Sequence, residues 1–418
     1  MITLAKDLAA ALEVGEGRAT VAVAPLESDT KALRPDALAV LVGTQLAGQR
    51  GWDNPRDPES VANGITRARG SQWLVYVRVR IEGGRLRASA DVHPVPSTVW
   101  ARARNPNPAP VAHAFADTPI DAEVRSFLEP VPLVAPFDFK RGKNFELGVL
   151  ALACDDFDRD GAPEIVSVSR NAVTLSRIRE GKVSPVVAKL WSDLSTMDPT
   201  PLREPIATAF SAPPPRTGAI EPLDVVVSIT DRVRSVRLGT DLSTRASFPG
   251  FAIKEGGAFS CARLPALTIT GPLDSCAVGE ASPKRSSVTG RFDALAAADL
   301  VEVTGAPYEV WAGREDTAVE IRDDKGKFAR IASAGAQLAI GDIDQDGSPE
   351  ILTSLDVERG TADAVVVYTW DRSSKTPPKE QMRIPVAAGV YALAMCPPIG
   401  PGRTPFLIAT ADEIVVAR

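Results

Sequence analysis

Apolar positions recur at helical spacing only in the first third of the chain. Leu4, Leu8 and Leu12 stand four apart and place one apolar stripe on a short helix over residues 3–13. A strand follows over 19–26. Leu38, Leu41, Val42 and Leu46 then mark one side of a second helix over 33–49, with Pro35 suited to its first turn. A weaker helix over 59–69 is closed by Gly70. Residues 73–81 and 85–93 alternate with a period of two on either side of Glu82-Gly83-Gly84, which predicts a hairpin, and a shorter strand is expected over 98–103. The Asn105 to Pro110 stretch is a loop. Thr118-Pro119-Ile120-Asp121 reads as a cap, a first-turn proline and an early acid, opening a helix that runs to about Leu128. Together these elements describe a small α/β domain over residues 1–130.

Beyond about residue 147 the pattern changes. Short β-type runs are separated by Gly, Pro and Asp, and no helical period is strong. The expected fold class is therefore multidomain, a small α/β domain followed by an all-β domain over 131–418. A length of 418 residues is too great for one ordinary core and agrees with that division. No run approaches the roughly 18 apolar residues of a membrane span. A net charge of −6 speaks against a nucleic-acid partner.

Much of that acidity is concentrated in two nonapeptides. Asp156-Phe157-Asp158-Arg159-Asp160-Gly161-Ala162-Pro163-Glu164 is echoed by Asp342-Ile343-Asp344-Gln345-Asp346-Gly347-Ser348-Pro349-Glu350. Both read D-x-D-x-D-G-x-P-E and run into a β-type stretch. Alternate carboxylates, a glycine for a sharp turn and a fourth carboxylate behind it suit a hard cation such as Ca²⁺, which takes six to eight oxygens. Without a cation, acids so close repel one another. An EF-hand is excluded, because its twelfth position needs a bidentate Glu and here holds Ser167 or Thr353.

The two segments resemble the FG-GAP/VCBS repeats of integrin-α-like β-propellers, in which this loop joins the first two strands of a blade. The resemblance implies two Ca²⁺ sites. One uses Asp156, Asp158, Asp160, Glu164 and the carbonyl of Ala162; the other uses Asp342, Asp344, Asp346, Glu350 and the carbonyl of Ser348. The family often has Asp at the last position, where both loops here have Glu. The loops lie 186 residues apart, four blades of about 47 residues each. Inner strands are expected near Leu147, Ile206, Ala258, Phe292, Ala336 and Val390, giving six blades with metal in the first and fifth. Pro213-Pro214-Pro215 and Pro397-Pro398 stand at turns where the loop has been lost. The last blade is short of a strand, and residues 131–139, through Val131, Leu133 and Val134, are expected to close the ring against Glu413 to Ala417.

Residues 15–130 resemble the N-terminal domain of TolB-type periplasmic proteins. The likeness rests on Ala68-Arg69-Gly70-Ser71-Gln72-Trp73-Leu74-Val75, Gly83-Gly84-Arg85-Leu86-Arg87-Ala88 and Val99-Trp100-Ala101. Six blades after such a domain repeat the TolB plan, although the blades carry the calcium-loop signature instead of that family's own.

Catalytic signatures such as G-x-S-x-G, H-E-x-x-H and C-x-x-C do not occur, and His93 and His113 are not placed like ligands. Trp73 and Trp100 are expected in the first core, Trp311 and Trp370 between blades. Arg232, Arg234 and Arg237 are expected on the solvated face of a strand. Cys261–Cys276 is the expected disulfide, and Cys154 and Cys396 are expected near each other once the ring closes, with their oxidation left open. The start Met1-Ile2-Thr3-Leu4 lacks the regions of a signal peptide. Calcium loops nevertheless favour an exported protein, periplasmic or at the cell surface, whose leader has been removed. Any membrane association would then run through a lipid on that leader. The expected function is that of a non-enzymatic, calcium-stabilised, monomeric scaffold of the bacterial envelope that engages a protein partner. The alternative is an extracellular polysaccharide-binding protein or enzyme.

Overall fold

The structure, a computed structural model, describes the chain apart from residues 1, 29–31, 83–84, 121, 126, 130–131, 135, 145–146, 180–181, 200–201, 203, 213–221, 256–257, 264–267, 277–287, 303–305, 375 and 399–401. The chain divides into two compact units, residues 1–130 and the remainder from 131 apart from 303–305.

In the first unit, Ala19–Val23 pairs in parallel with Trp73–Glu82, which pairs antiparallel with Arg85–Pro94, and that strand with Ala112–Pro119. Helices Ile2–Ala11 and Pro35–Arg50 cover one face. Leu4, Leu8, Leu38, Val42 and Leu46 are buried there against Val21, Val75, Val77 and Ala88. The second helix begins with Pro35 in its first turn and stops at Gly51, whose φ of 67° is left-handed, the conformation that ends a helix most cheaply with glycine. The helix Val61–Arg67 lies on the opposite face, where Ile65 meets Ala22, Leu74 and Tyr76.

Two expectations fail here. Residues 98–103 are not a strand. They form the helix Val99–Arg104, capped by Thr98, whose hydroxyl accepts the Ala101 N–H at 3.1 Å. Ala and Arg are better helix formers than strand formers, and a Thr cap tips the balance. Trp100 is consequently 79% exposed and not a core residue. The strand after the loop is Ala112–Pro119, which uses Thr118 and Pro119, so the helix expected from there is only Ala122–Arg125. The Gly83-Gly84 turn and Asp121 lie outside the described residues.

The second unit is mostly β, a propeller-like succession of antiparallel meanders. The first sheet is Ala151–Asp155, Glu164–Val168, Ala172–Arg179 and Lys182–Leu190. The second runs from Ala207–Ala212 to Thr244–Phe248, and the fourth from Ala294–Val301 to Phe328–Ile331. The fifth is Leu338–Gly341, Glu350–Thr353, Asp363–Thr369 and Lys379–Val386. The third begins at Phe251–Glu255, earlier than the expected Ala258, because Pro249-Gly250 turns the chain there. It contains Ala258–Ala262 and Asp274–Ser275, with a separate ribbon of Ile269–Thr270 and Arg291–Phe292. The Pro213-Pro214-Pro215 turn lies outside the described residues.

Each sheet buries its apolar side chains against the next. Val166 and Leu175 of the first pack with Val225 and Val227 of the second. The same arrangement continues until Leu393 and Ile408 of the last sheet meet Leu352 and Val367 of the fifth. The circuit then closes, because Leu152 and Ile165 of the first sheet pack against Ala394 and Leu407 of the last.

The last sheet is Ala392–Met395, Phe406–Ala409 and Glu413–Ala417, completed by Phe139–Lys143 from ahead of the first sheet. Its ladder runs from Glu413 opposite Lys143 to Ala417 opposite Phe139. The closing strand is thus 139–143 and not 131–139. Val131 lies outside the described residues, Leu133 is buried with Val390, Leu393 and Phe406, and Val134 is exposed. Prolines 132 and 136 cannot donate to a ladder. Arg403 instead holds their carbonyls at 2.9 and 3.1 Å and lies over the Phe137 ring.

Both disulfides are formed. Cys261–Cys276 spans the third sheet, and Cys154–Cys396, with Cα atoms 4.6 Å apart, ties the first sheet to the last. The expected proximity of Cys154 and Cys396 is seen, and the bond between them, which the sequence leaves open, is formed. Cys396 stands one residue past the end of its strand, where the chain can bend its sulfur into reach. Arg232 is likewise not on a solvated face. It is buried over the Trp191 ring and donates to the Arg170 carbonyl at 2.9 Å, with fully buried Asp231 3.6 Å from both Arg232 and Arg170. Arg237 pairs with Asp224 at 2.6 Å.

Candidate metal centre

Each acidic nonapeptide is the tight connection between the first two strands of its sheet, the first and the fifth. Phe157 and Ile343 point into the core and anchor the loops. Gly161 and Gly347 adopt φ of 90° and 82°, and Arg159 and Gln345, at 64° and 60°, also enter the left-handed region. That conformation costs a residue with a Cβ about 1 kcal/mol, which the surrounding hydrogen bonds must offset.

Those bonds follow the same pattern twice. Glu164 Oε2 accepts the Phe157 N–H at 2.9 Å, and Glu350 Oε2 accepts the Ile343 N–H at 2.7 Å. Gly161 N–H donates to Asp156 Oδ2 and Gly347 N–H to Asp342 Oδ2, both at 3.0 Å. Asp158 and Asp344 each accept the N–H two residues on, at 3.1 and 3.3 Å. The terminal Glu therefore reaches back across the loop, and the backbone folds around the acids. An ordinary Asx turn would need only one of these contacts.

Among the described residues, Asp156, Asp158 and Glu164 bring carboxylate oxygens within 4.8 Å of one another, and Asp342, Asp344 and Glu350 do the same. Asp160 and Asp346 stand outside these triads. Their carboxylates turn back onto the N–H groups of Ala162 and Ser348, at 2.9 and 2.7 Å. The carbonyls of Ala162 and Ser348 follow directly in the turn.

The electrostatics show how poorly the triads tolerate their own charge. Burial, and then the charge of Asp158, push the Glu164 carboxyl up to about 7. Burial and then Asp346 push Asp344 up to about 6. Glu350 is raised well above the ordinary carboxylate range, first by burial and then by Asp344. Asp156 Oδ1 and Glu350 Oε1 are buried and accept no hydrogen bond. Buried oxygens of this kind require a partner. An all-oxygen, anionic donor set that leaves such atoms open fits a hard divalent cation and would suit neither a soft metal nor a phosphate.

One residue beside the first triad has no signature in the motif. Arg177, opposite Glu164 in the next strand, forms an ion pair with Asp158 through Nη2 and lies 3.4 Å from Glu164 Oε1 through Nε. Nothing in the nonapeptide marks it, and Arg177 is one of two arginines in the strand Ala172–Arg179. On the fifth sheet, Tyr308 of the neighbouring sheet donates its O–H to the Gly347 carbonyl at 2.9 Å. The two histidines take no part in either centre: His93 Nδ1 is 2.8 Å from the Pro108 carbonyl, and His113 Nδ1 is 2.6 Å from Asp91.

No protein family model matches the chain, and no curated protein matches its sequence. Among solved structures it is similar to AofleA from Arthrobotrys oligospora, at 11% identity over 67% of this chain and 86% of that one, with a TM-score of 0.40. Hydrazine synthase of Kuenenia stuttgartiensis is 11% identical over 80% of this chain and 92% of its own, with a TM-score of 0.34. The Dos1 propeller is 9% identical over 81% and 77%, with a TM-score of 0.33. At these identities and scores the likenesses assign neither a family nor an activity.

Proposed function

We propose that the chain is a calcium-stabilised binding protein of the cell envelope: a TolB-like α/β domain followed by a six-bladed FG-GAP/VCBS-type propeller that engages a protein partner. The observation that carries this reading is the duplication at atomic detail. Two loops, four blades apart, use the same hydrogen bonds to converge three carboxylates, and leave a buried oxygen in each site for a cation to take. In each loop Ca²⁺ would be held by the triad, with Asp160 or Asp346 and the carbonyl of Ala162 or Ser348 available to complete its shell. Its role there is structural, since it replaces repulsion inside a turn that joins two core strands. Both disulfides fit an oxidising compartment such as the periplasm or cell surface. No helix among the described residues is long and apolar enough to cross a membrane. The three tryptophans of the propeller, Trp191, Trp311 and Trp370, are buried. That favours a protein partner over a stacked sugar.

Calcium binding is tested by isothermal titration of the EDTA-treated, dialysed protein beside the double variant Asp158→Ala/Asp344→Ala. The expected result is two equivalents for the wild type and none for the variant. A wild-type protein that takes up no calcium and melts identically with and without EDTA would refute the metal. Capture of one partner from envelope extract by calcium-loaded protein, and its loss in EDTA, tests the scaffold role.

A further inference from the structure

We infer that the segment between Pro94 and Pro110 is a membrane-surface contact: Val99 and Trp100 enter the headgroup layer of an anionic bilayer, and Arg102 and Arg104 meet its phosphates. The inference stands apart from the calcium reading and gives the first unit a role of its own.

The segment leaves the sheet after Arg85–Pro94 and returns to it at Ala112–Pro119. Between them lies the helix Val99–Arg104, none of whose residues is buried. A helix of six residues gains little by itself in water, and this one contributes no side chain to a core. Val99 is nonetheless 68% exposed and Trp100 79%, with Val111 also exposed where the chain returns. The other five tryptophans are buried or half-buried. Single exposed apolar residues are ordinary, but an adjacent Val-Trp pair on a helix with no buried residue points to a partner outside the fold.

Charge identifies that partner. The chain carries a net charge of −6, yet no carboxylate occurs between Asp91 and Asp117, and Arg102 and Arg104 stand on the helix itself. Tryptophan rings settle at the headgroup level of a bilayer, and basic residues beside them are drawn to anionic lipid. A protein groove would instead grip one apolar stripe of a helix. Here the large apolar residues are consecutive, and Arg102, Ala103 and Arg104 follow where such a stripe would repeat. The segment is also held in shape before any contact. Thr98 caps the helix, and Arg102 donates to the carbonyls of Pro96 and Ser97 at 3.3 and 3.5 Å. Buried His93 places Nδ1 2.8 Å from the Pro108 carbonyl. Less conformational freedom is therefore lost on binding than for a loose loop.

Sedimentation of the full chain with vesicles of phosphatidylcholine, alone or mixed with phosphatidylglycerol, tests this. The wild type should bind the mixed vesicles and release them as salt rises. Trp100→Ala should weaken that binding about tenfold or more, and Arg102→Ala/Arg104→Ala about thirtyfold. Both variants should melt with the wild type, since neither change touches a core. Trp100 emission should shift to the blue on the mixed vesicles, and the shift should vanish in Trp100→Phe. No binding to the mixed vesicles, equal binding with and without phosphatidylglycerol, or binding unaltered by Trp100→Ala would each overturn the inference. Trp100-dependent binding to a protein without binding to vesicles would assign the helix to a polypeptide partner and overturn it equally.

Discussion

Stripping the metal should give the protein a pH dependence opposite to that of most folded proteins, which lose stability in acid. Glu164 is only 2% exposed, and in the metal-free fold its carboxyl titrates at about 7 in place of 4.5. Between those values the folded chain holds a proton that the unfolded chain has released. Folding is therefore favoured at the acidic end and loses stability as pH rises through 7. The interval from 4.5 to about 7, at about 1.4 kcal/mol per tenfold, amounts to about 3 kcal/mol from this residue alone. For a unit of this size about 2 °C accompanies each kcal/mol, so the melting temperature should fall by about 5 °C between pH 5 and pH 8. Glu350 and Asp344 are displaced in the same direction. Differential scanning calorimetry in EDTA, with and without Glu164→Gln, isolates the contribution. The variant cannot ionise, so its decline with pH should be shallower by that amount, and millimolar calcium should abolish the decline in the wild type. A metal-free wild type as stable at pH 8 as at pH 5, or a decline unaltered by Glu164→Gln, would refute the reasoning.

Two further outcomes follow from the ring. Cys154–Cys396 joins residues 242 apart, so chain entropy assigns it about 5 kcal/mol against about 3 kcal/mol for Cys261–Cys276, whose separation is 15. Replacing both members of each pair by alanine and comparing urea midpoints should show the larger loss at 154/396; equal or reversed losses would count against that assignment. A chain starting at residue 130 retains the strand Phe139–Lys143 and should unfold cooperatively, whereas one starting at 144 exposes the edge of Glu413–Ala417 and should aggregate. Identical sedimentation and melting of the two would show that the closing strand is dispensable.

What could be read along the chain is what neighbours in sequence decide. The helical stripe of Leu38, Val42 and Leu46 and the alternation over 73–93 are local periodicities, and the core they imply forms. The helix at Val99–Arg104 was concealed because six residues are too few for a period, and its Thr98 cap is the deciding local signal. In the acidic loops, alternate spacing and a glycine suffice to bring Asp156 towards Asp158, and Asp342 towards Asp344.

The remainder needed the third dimension. Glu164 completes its triad in place of Asp160 because it heads a core strand and is carried back over the loop, while Asp160 is used by the turn. Arg177 reaches the site through strand register, which no spacing in the motif encodes. The closing strand is polar and alternates only between exposed and half-buried positions, so hydrophobicity drew attention to Val131, Leu133 and Val134 instead. Cys154 and Cys396 are neighbours only because the first sheet packs on the last. Local turns, periodic elements and the chemistry concentrated in two nonapeptides are set by residues adjacent along the chain. Which strand completes the last sheet and that Cys154 pairs with Cys396 depend on residues far apart in the chain, which only the packing of the first sheet on the last brings together.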